Sequence, residues 1–311
     1  MRTLTLIVFA AACRTLPADP PAQPAPKPVA VAPEPEPQLD PTQVARGAYV
    51  AALAGCKACH SPMKNGASDG TKPYAGGLEV KMPNGSVWRA PNITPDRASG
   101  IGRWSDTELV TAMRRGIAKD GTKLLPIMPY PYYHRMTDAD AKAVVAFLRS
   151  QRPIYNEVEK SDTASVAPID LPEPVNNVDD PKDPKSHGEY LAALMHCGQC
   201  HTPTEGAMAN VIFAGGVELP TQTGSSVMSA NITSDKVTGI GQWTEEELVT
   251  AIRTGKTPTG HVIEGPMAMY LEGWSMIEDA DAHALVRYIQ SVQPANHDVP
   301  EKHVAPVTSL R

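Results

Sequence analysis

Cys56-Lys57-Ala58-Cys59-His60 and Cys197-Gly198-Gln199-Cys200-His201 are two copies of one pentapeptide, Cys-x-x-Cys-His, set 141 positions apart. The pattern is that of covalent haem attachment. Two thiols separated by two residues can add to the two vinyl groups of one porphyrin, and the adjacent His is then held against the ring face as an axial ligand to iron. Two motifs imply two haems of the c type and a chain whose work is moving electrons. The competing readings of Cys-x-x-Cys are a redox disulfide and half of a zinc site. Four-cysteine zinc sites usually keep their pairs close in sequence, whereas 137 residues separate Cys59 from Cys197. A thioredoxin-type pair needs a βαβ context, and none is visible. Neither alternative requires a His directly after both pairs. The fifth cysteine, Cys13, belongs to the N-terminal segment, so none remains for a disulfide.

The motifs belong to a longer duplication. Gly47 and Tyr49 return as Gly188 and Tyr190 at the offset of 141. Tyr74-Ala75-Gly76-Gly77 returns as Phe213-Ala214-Gly215-Gly216 at 139, as do Asn92-Ile93-Thr94 in Asn231-Ile232-Thr233 and Gly100-Ile101-Gly102-x-Trp104 in Gly239-Ile240-Gly241-x-Trp243. Asp138-Ala139-Asp140 returns as Asp279-Ala280-Asp281, back at 141. The spacing predicts two tandem domains, 42–153 and 184–295, of about 110 residues each, a normal size for one compact core.

Each unit reads as helical. A helix from Gln43 to Leu53 leads into the first motif, and one from Ser186 to Met195 leads into the second. A middle helix opens on a capping box in both copies, Ser105-x-x-Glu108 and Thr244-x-x-Glu247, where hydroxyl and carboxylate satisfy free backbone N–H groups. A last helix starts near Thr137 with Ala141, Val144, Val145 and Leu148 on one stripe, matched by Ala282, Leu285, Val286 and Ile289. Gly47 and Gly188 allow close approach of this last helix, whose facing aromatic is Phe147 or Tyr288. Between the helices Gly, Pro and Asn are frequent, so loops are expected to wrap the haem.

Cys-x-x-Cys-His-[Ser/Thr]-Pro, Ala-Gly-Gly, Asn-Ile-Thr, Gly-Ile-Gly-x-Trp and Met-Pro-Tyr ahead of an Asp-rich helix start resemble class I cytochrome c domains. More narrowly, they are similar to the cytochrome c subunits of membrane-bound bacterial dehydrogenases that oxidise alcohols, aldehydes or sugar acids. Those subunits often carry three haem motifs, where this chain has two. The resemblance covers both units and implies an all-α fold, two small helical bundles each around one covalent haem. Cys56, Cys59, Cys197 and Cys200 then attach the haems, and His60 and His201 are axial ligands. Iron in such proteins usually takes a Met sulfur opposite the His. Met128, in Pro126-Ile127-Met128-Pro129-Tyr130, matches the family position, and the offset of 141 gives Met269. Met267 is a neighbouring thioether, and core filling is the alternative for any of these methionines.

Other positions carry two readings each. A carbonyl at Pro62 or Pro203 could accept the His Nδ1–H, or these are turn prolines. Asn92 and Asn231 suit a haem propionate or turn chemistry. Trp104 and Trp243 suit a propionate or a buried staple ahead of the capped helix. His134, His187, His196, His261 and His283 lack metal-site spacing and read as surface or structural.

Residues 1–12 give a positive residue and a short apolar run before Cys13, an arrangement expected of a lipoprotein export signal with Cys13 lipidated; an ordinary cleavable signal is the alternative. Residues 13–41, Pro-Ala-Glu rich from 17 onward, are expected to form an extended tether. The expected location is the periplasmic side of a membrane, anchored or soluble.

The formal net charge of −6 hides a division. Residues 42–153 hold 16 Lys and Arg against 8 Asp and Glu; residues 184–295 hold 5 against 12. The linker 154–183 is also acidic, and a tail, 296–311, follows the second unit. Either the domains attract each other or each steers a different redox partner. The partners expected are a dehydrogenase, a quinol-linked complex or a terminal acceptor, with no nucleic acid. Two His/Met-ligated irons leave no open position for substrate, so the chain is expected to be an electron carrier with no catalytic residues. Di-haem enzymes, a cytochrome c peroxidase or a sulfur-compound dehydrogenase, are the rival class.

Overall fold

The computed structural model describes residues 38–64, 67–81, 85–161, 167–174, 182–221 and 226–300. Cys13, with the export signal and most of the tether, lies outside these residues. In the first half, helix α1 (Pro41–Leu53) starts on an Asp40 cap and runs into the short α2 (Cys56–Cys59). Two hairpins follow, β1 (Met63–Lys64) with β2 (Ala67–Ser68) and β3 (Glu79–Lys81) with β4 (Val87–Arg89). Then come α3 (Asp106–Arg115), α4 (Tyr130–Tyr133) and α5 (Asp138–Arg149). The second half repeats the order with α6 (Pro184–Leu194), α7 (Cys197–His201), one hairpin of β5 (Glu218–Pro220) and β6 (Ser226–Met228), and α8 (Glu245–Thr254). A 3-10 turn over Gly265–Tyr270, α9 (Leu271–Trp274) and α10 (Asp279–Ser291) complete it.

The all-α expectation therefore needs correction: the fold is mostly helical, with three two-stranded antiparallel hairpins among the described residues. Asn65-Gly66 and Asn84-Gly85 are the dipeptides that favour tight hairpin turns, and they stand in the first two hairpin sequences.

The helix ends follow their side chains. Ser105 and Glu108 form a reciprocal capping box on α3, and Thr244 and Glu247 do so on α8. Both helices end on a left-handed glycine, Gly116 and Gly255, where only the absence of Cβ keeps the conformation free of strain. Helix α1 packs along α5 and α6 along α10. Gly47 makes the first contact possible: a Cβ there would stand 1.9 Å from the Ala143 carbonyl oxygen. At Gly188 the same construction meets Ala284 at 2.1 Å. Val50, Leu53, Val144, Val145 and Leu148 of the first half and Leu191, Leu194, Leu285, Val286 and Ile289 of the second belong to one continuous buried core.

The halves also pack on each other. Tyr49 donates to Asp281 and Tyr190 to Asp140, both at 2.6 Å. The Trp274 indole donates to the Leu53 carbonyl at 3.0 Å, Arg135 pairs with Glu189 at 2.9 Å, and Lys57 pairs with Glu272.

Between the halves the acidic chain lies on the basic first half. Ser161 accepts from Arg89 N at 2.8 Å, and Tyr130 Oη accepts from Ile169 N at 2.7 Å. Glu159 pairs with Arg89, Asp170 with Lys123, and Glu173 with Arg115.

Candidate metal centres

Each Cys-x-x-Cys-His segment forms about one helical turn at the end of the first long helix of its half. The residue before it is left-handed, Gly55 at φ 71° and His196 at φ 43°, which turns the chain sharply from α1 into α2 and from α6 into α7. The four cysteines are free thiols, each half-buried. Burial pushes Cys56 and Cys197 up to about 12 and Cys200 up to about 11, and it raises Cys59 as well. Burial disfavours the thiolate at each position, so the side chains are held as thiols. Among the described residues, no three His, Cys, Asp or Glu side chains come together as a metal-holding group, which leaves the zinc reading without geometric support.

The histidines are held alike. His60 and His201 are 7% and 9% exposed. His60 Nδ1 is 2.8 Å from the Pro91 carbonyl oxygen, and His201 Nδ1 is 2.7 Å from that of Ala230. With Nδ1 donating, the tautomer is set and Nε2 carries the free lone pair. Burial lowers both imidazoles and so favours the neutral ring. The backbone of each histidine is fixed too: its carbonyl accepts from Gly76 N at 2.7 Å in the first half and from Gly215 N at 2.8 Å in the second. A Cβ on Gly76 would meet Asn92 N at 2.5 Å. The Ala-Gly-Gly motif therefore lets two chain segments close around the histidine.

Two sequence alternatives are decided by these bonds. The carbonyls of Pro62 and Pro203 accept from Asp69 N and Asn210 N, each at 2.7 Å, so the histidine acceptors are the carbonyls ahead of Asn92 and Asn231. Asn92 spends its amide on the Ile154 carbonyl (2.7 Å) and its oxygen on Thr94 N and Oγ1. Asn231 repeats this with Ala295 and Thr233. Both are buried turn residues. Trp104 and Trp243 are half-buried against the core. His196, read from sequence as surface or structural, is 3% exposed.

Met128 stands just ahead of α4 and packs half-buried against the core. Met267 and Met269 both lie in the 3-10 turn, and Met267 is the one that shares Met128's packing against the core. Gln199, inside the second attachment motif, donates to the carbonyls of Pro126 (3.1 Å) and Ile127 (3.3 Å), beside Met128. No residue pattern in the sequence announces this cross-half bond, because Gln199 is an ordinary polar side chain until the halves meet.

Thus the residues present fit covalent haem: paired thiols on one turn and an imidazole whose Nε2 is left for iron. Residues 44–152 match the cytochrome c family model. The chain is 34% identical over 277 residues to the cytochrome c subunit of the quinone alcohol dehydrogenase of Gluconacetobacter polyoxogenes, covering 83% of this chain and 58% of that protein. It is 32% identical over 274 residues to the gluconate 2-dehydrogenase cytochrome c subunit of Pantoea cypripedii, with 82% and 60% covered. A diheme cytochrome c-type protein of Cereibacter sphaeroides is 28% identical, with 80% of this chain and 86% of that protein covered. The chain thus spans a little over half the length of the two dehydrogenase subunits.

Proposed function

We propose, from the match of residues 44–152 to the cytochrome c family, that the chain holds two covalent haems and passes single electrons from a dehydrogenase partner to an acceptor. The observation that carries this reading is the repeated setting of the ligand: His60 on the Pro91 carbonyl at 2.8 Å and His201 on the Ala230 carbonyl at 2.7 Å, each directly after a pair of free cysteines. Bound haem supplies a one-electron iron couple, with a potential set by its axial ligands and burial. The chain's own part is to fix the porphyrin through Cys56 and Cys59, and through Cys197 and Cys200. It also orients each imidazole through the Pro91 and Ala230 carbonyls, and Met128 in the first half and Met267 or Met269 in the second would supply a thioether sulfur to the iron.

Intact mass tests this directly. The purified protein is expected to exceed its polypeptide mass by two haems that acid–acetone does not extract. One haem, or bound zinc in its place, would sink the reading.

On the same reading the chain works outside the cytoplasm, tethered through a lipidated Cys13 and the Pro-rich segment to Pro41. Among the described residues no helix is long and apolar enough to cross a membrane. Fractionation of Cys13→Ser tests the tether: the variant should appear in the soluble exported fraction and the native chain with membranes.

A further inference from the structure

The two attachment turns meet across the boundary between the halves. Gly55 and His196 occupy the same place, one residue before the first cysteine of each motif. A Cβ on Gly55 would stand 3.7 Å from His196 Nε2 and 2.5 Å from the Tyr270 ring. Position 55 is glycine and adopts φ 71° without strain; position 196 is not glycine and holds φ 43° at a cost in backbone energy. The His196 Nε2 atom is buried and has no hydrogen-bond partner among the described residues, a second cost. The first cost belongs to the turn into the motif, which Gly55 makes in the other half; the unpaired nitrogen is not accounted for by that turn.

What His196 gains is a place in a run of rings. Its imidazole lies edge-on to Tyr270, with centroids 5.0 Å apart, and to Tyr133 of the other half at 6.1 Å. Tyr270 stacks on Trp274 at 5.3 Å. The Tyr270 hydroxyl comes 3.5 Å from Cys59 Sγ, the second attachment sulfur of the first half. At the other end, His196 is joined through one peptide bond to Cys197, the first attachment sulfur of the second half. Buried ring contacts thus lead from one attachment point to the other.

We propose that Tyr270 and His196 are the electron-coupling bridge between the two haem attachment points, so that the haems exchange electrons inside the chain as one pair. The proposal rests on the two-haem reading above. Its step is a self-contained exchange: one electron leaves a ferrous iron and reduces the ferric iron of the other haem, with no bond made or broken and no proton moved. A bridge of this kind lets one half receive the electron and the other deliver it.

The test compares Tyr270→Phe, Tyr270→Leu and His196→Gly with the native protein, all in the haem-loaded full chain. Intact mass is taken first, and inter-haem exchange is then followed by pulse radiolysis at half reduction. Tyr270→Phe keeps the ring contact with His196 but removes the hydroxyl contact with Cys59, and should slow exchange less than the ring-deleting variants. Tyr270→Leu and His196→Gly should slow exchange by roughly tenfold, a factor equivalent to about 1.4 kcal/mol, by weakening the coupling between the attachment points. His196→Gly also relieves the left-handed backbone, so its result is not masked by a failure to fold. Native-rate exchange in both ring-deleting variants, with two haems present by mass, overturns the bridge. A native protein with one haem overturns the two-haem reading itself, and mass alone reveals it.

Discussion

Tyr49 donates its hydroxyl to Asp281 at 2.6 Å, from the first helix of one half to the last helix of the other. The bond has a twin between the equivalent residues, each 141 positions away, Tyr190 to Asp140, also at 2.6 Å. Each aspartate is held a second time from its own half, Asp140 by Arg46 at 2.7 and 2.8 Å and Asp281 by His187 at 3.0 Å. Arg46 and His187 are themselves equivalent positions, 141 apart. The duplicated units therefore pack about an approximate two-fold relation, and a single short segment, Arg46 to Tyr49 with its copy, contributes to both the core and the clasp.

Removing either hydroxyl should loosen the clasp. Hydrogen bonds to charged acceptors contribute about 1.5–3 kcal/mol. Tyr49→Phe and Tyr190→Phe are each expected to destabilise the haem-loaded protein within that range. Denaturant unfolding of both single variants and the double variant checks this. Unchanged midpoints would mean that the halves are held by other contacts, such as the Trp274 bond to Leu53.

The same pair makes stability fall in alkali. Burial, then the bond to Asp281, raises Tyr49 above its ordinary range; burial, then the charge of Asp140, does so for Tyr190. An unfolded tyrosine titrates near pH ~10. Below that pH both states carry the proton and the stabilisation is complete. Above it the unfolded chain loses protons that the folded chain keeps, so unfolding becomes easier as pH rises toward the folded value. Unfolding midpoints between pH ~9 and ~11 should drop, and the drop should be shallower in the double Phe variant. A flat profile in the native protein would refute the assignment.

Charge behaves differently from what its distribution along the chain suggests. Arg114 is 3% exposed and pairs with Asp138, while Arg115 pairs with Glu173 from the acidic segment between the halves. These arginines are structural cations and do not form a free docking patch. Arg114→Glu would bury an anion beside the half-exposed Asp138, and should destabilise the fold by more than about 1 kcal/mol. Glu245 is likewise engaged, by His283 at 2.6 Å and Arg287 at 3.0 Å, and Glu247 belongs to a capping box. The Glu246 side chain is 80% exposed, so Glu246→Lys should change stability by no more than about 0.5 kcal/mol. Thermal unfolding of the two variants checks both expectations, and equal loss in both would contradict them.

Much of this architecture is written locally. The capping boxes at Ser105 and Thr244 and the Gly47–Ala143 contact follow from short-range spacing, since a cap or a close helix approach needs particular residues at particular steps. Two of the three described hairpins carry an Asn-Gly dipeptide, but it stands among Gly and Pro that suit irregular loops equally, so the strands are not legible from it. The carbonyls that orient His60 and His201 have no side-chain signature at all. The clasp and the ring contacts around His196 are illegible for a further reason: periodicity reports which face a helix buries in its own core, and says nothing about which second surface meets it.

The second sulfur ligand illustrates the limit of counting and gives the final prediction. From Tyr74 and Phe213 to Gly116 and Gly255, which cap the middle helices, the halves correspond at an offset of 139, and so do the bonds from Leu124 N to Gly116 O and from Ile263 N to Gly255 O. From Tyr130 against the Gly116 position and Leu271 against Gly255, the offset is 141. The two extra residues therefore fall between Ile263 and Leu271, inside the ligand loop itself. Counted from the N-terminal side Met128 corresponds to Met267; counted from the C-terminal side it corresponds to Met269. At the offset of 139 Met128 matches Met267, and both lie against the core. A Met ligand raises the iron potential, and its loss lowers it. Met128→Ala should remove about half of the near-infrared sulfur-to-iron band of the oxidised protein and lower one potential. Met267→Ala should remove the remainder and lower the other, while Met269→Ala should leave both in place. Loss of the second band on Met269→Ala alone would return the ligand to the offset of 141.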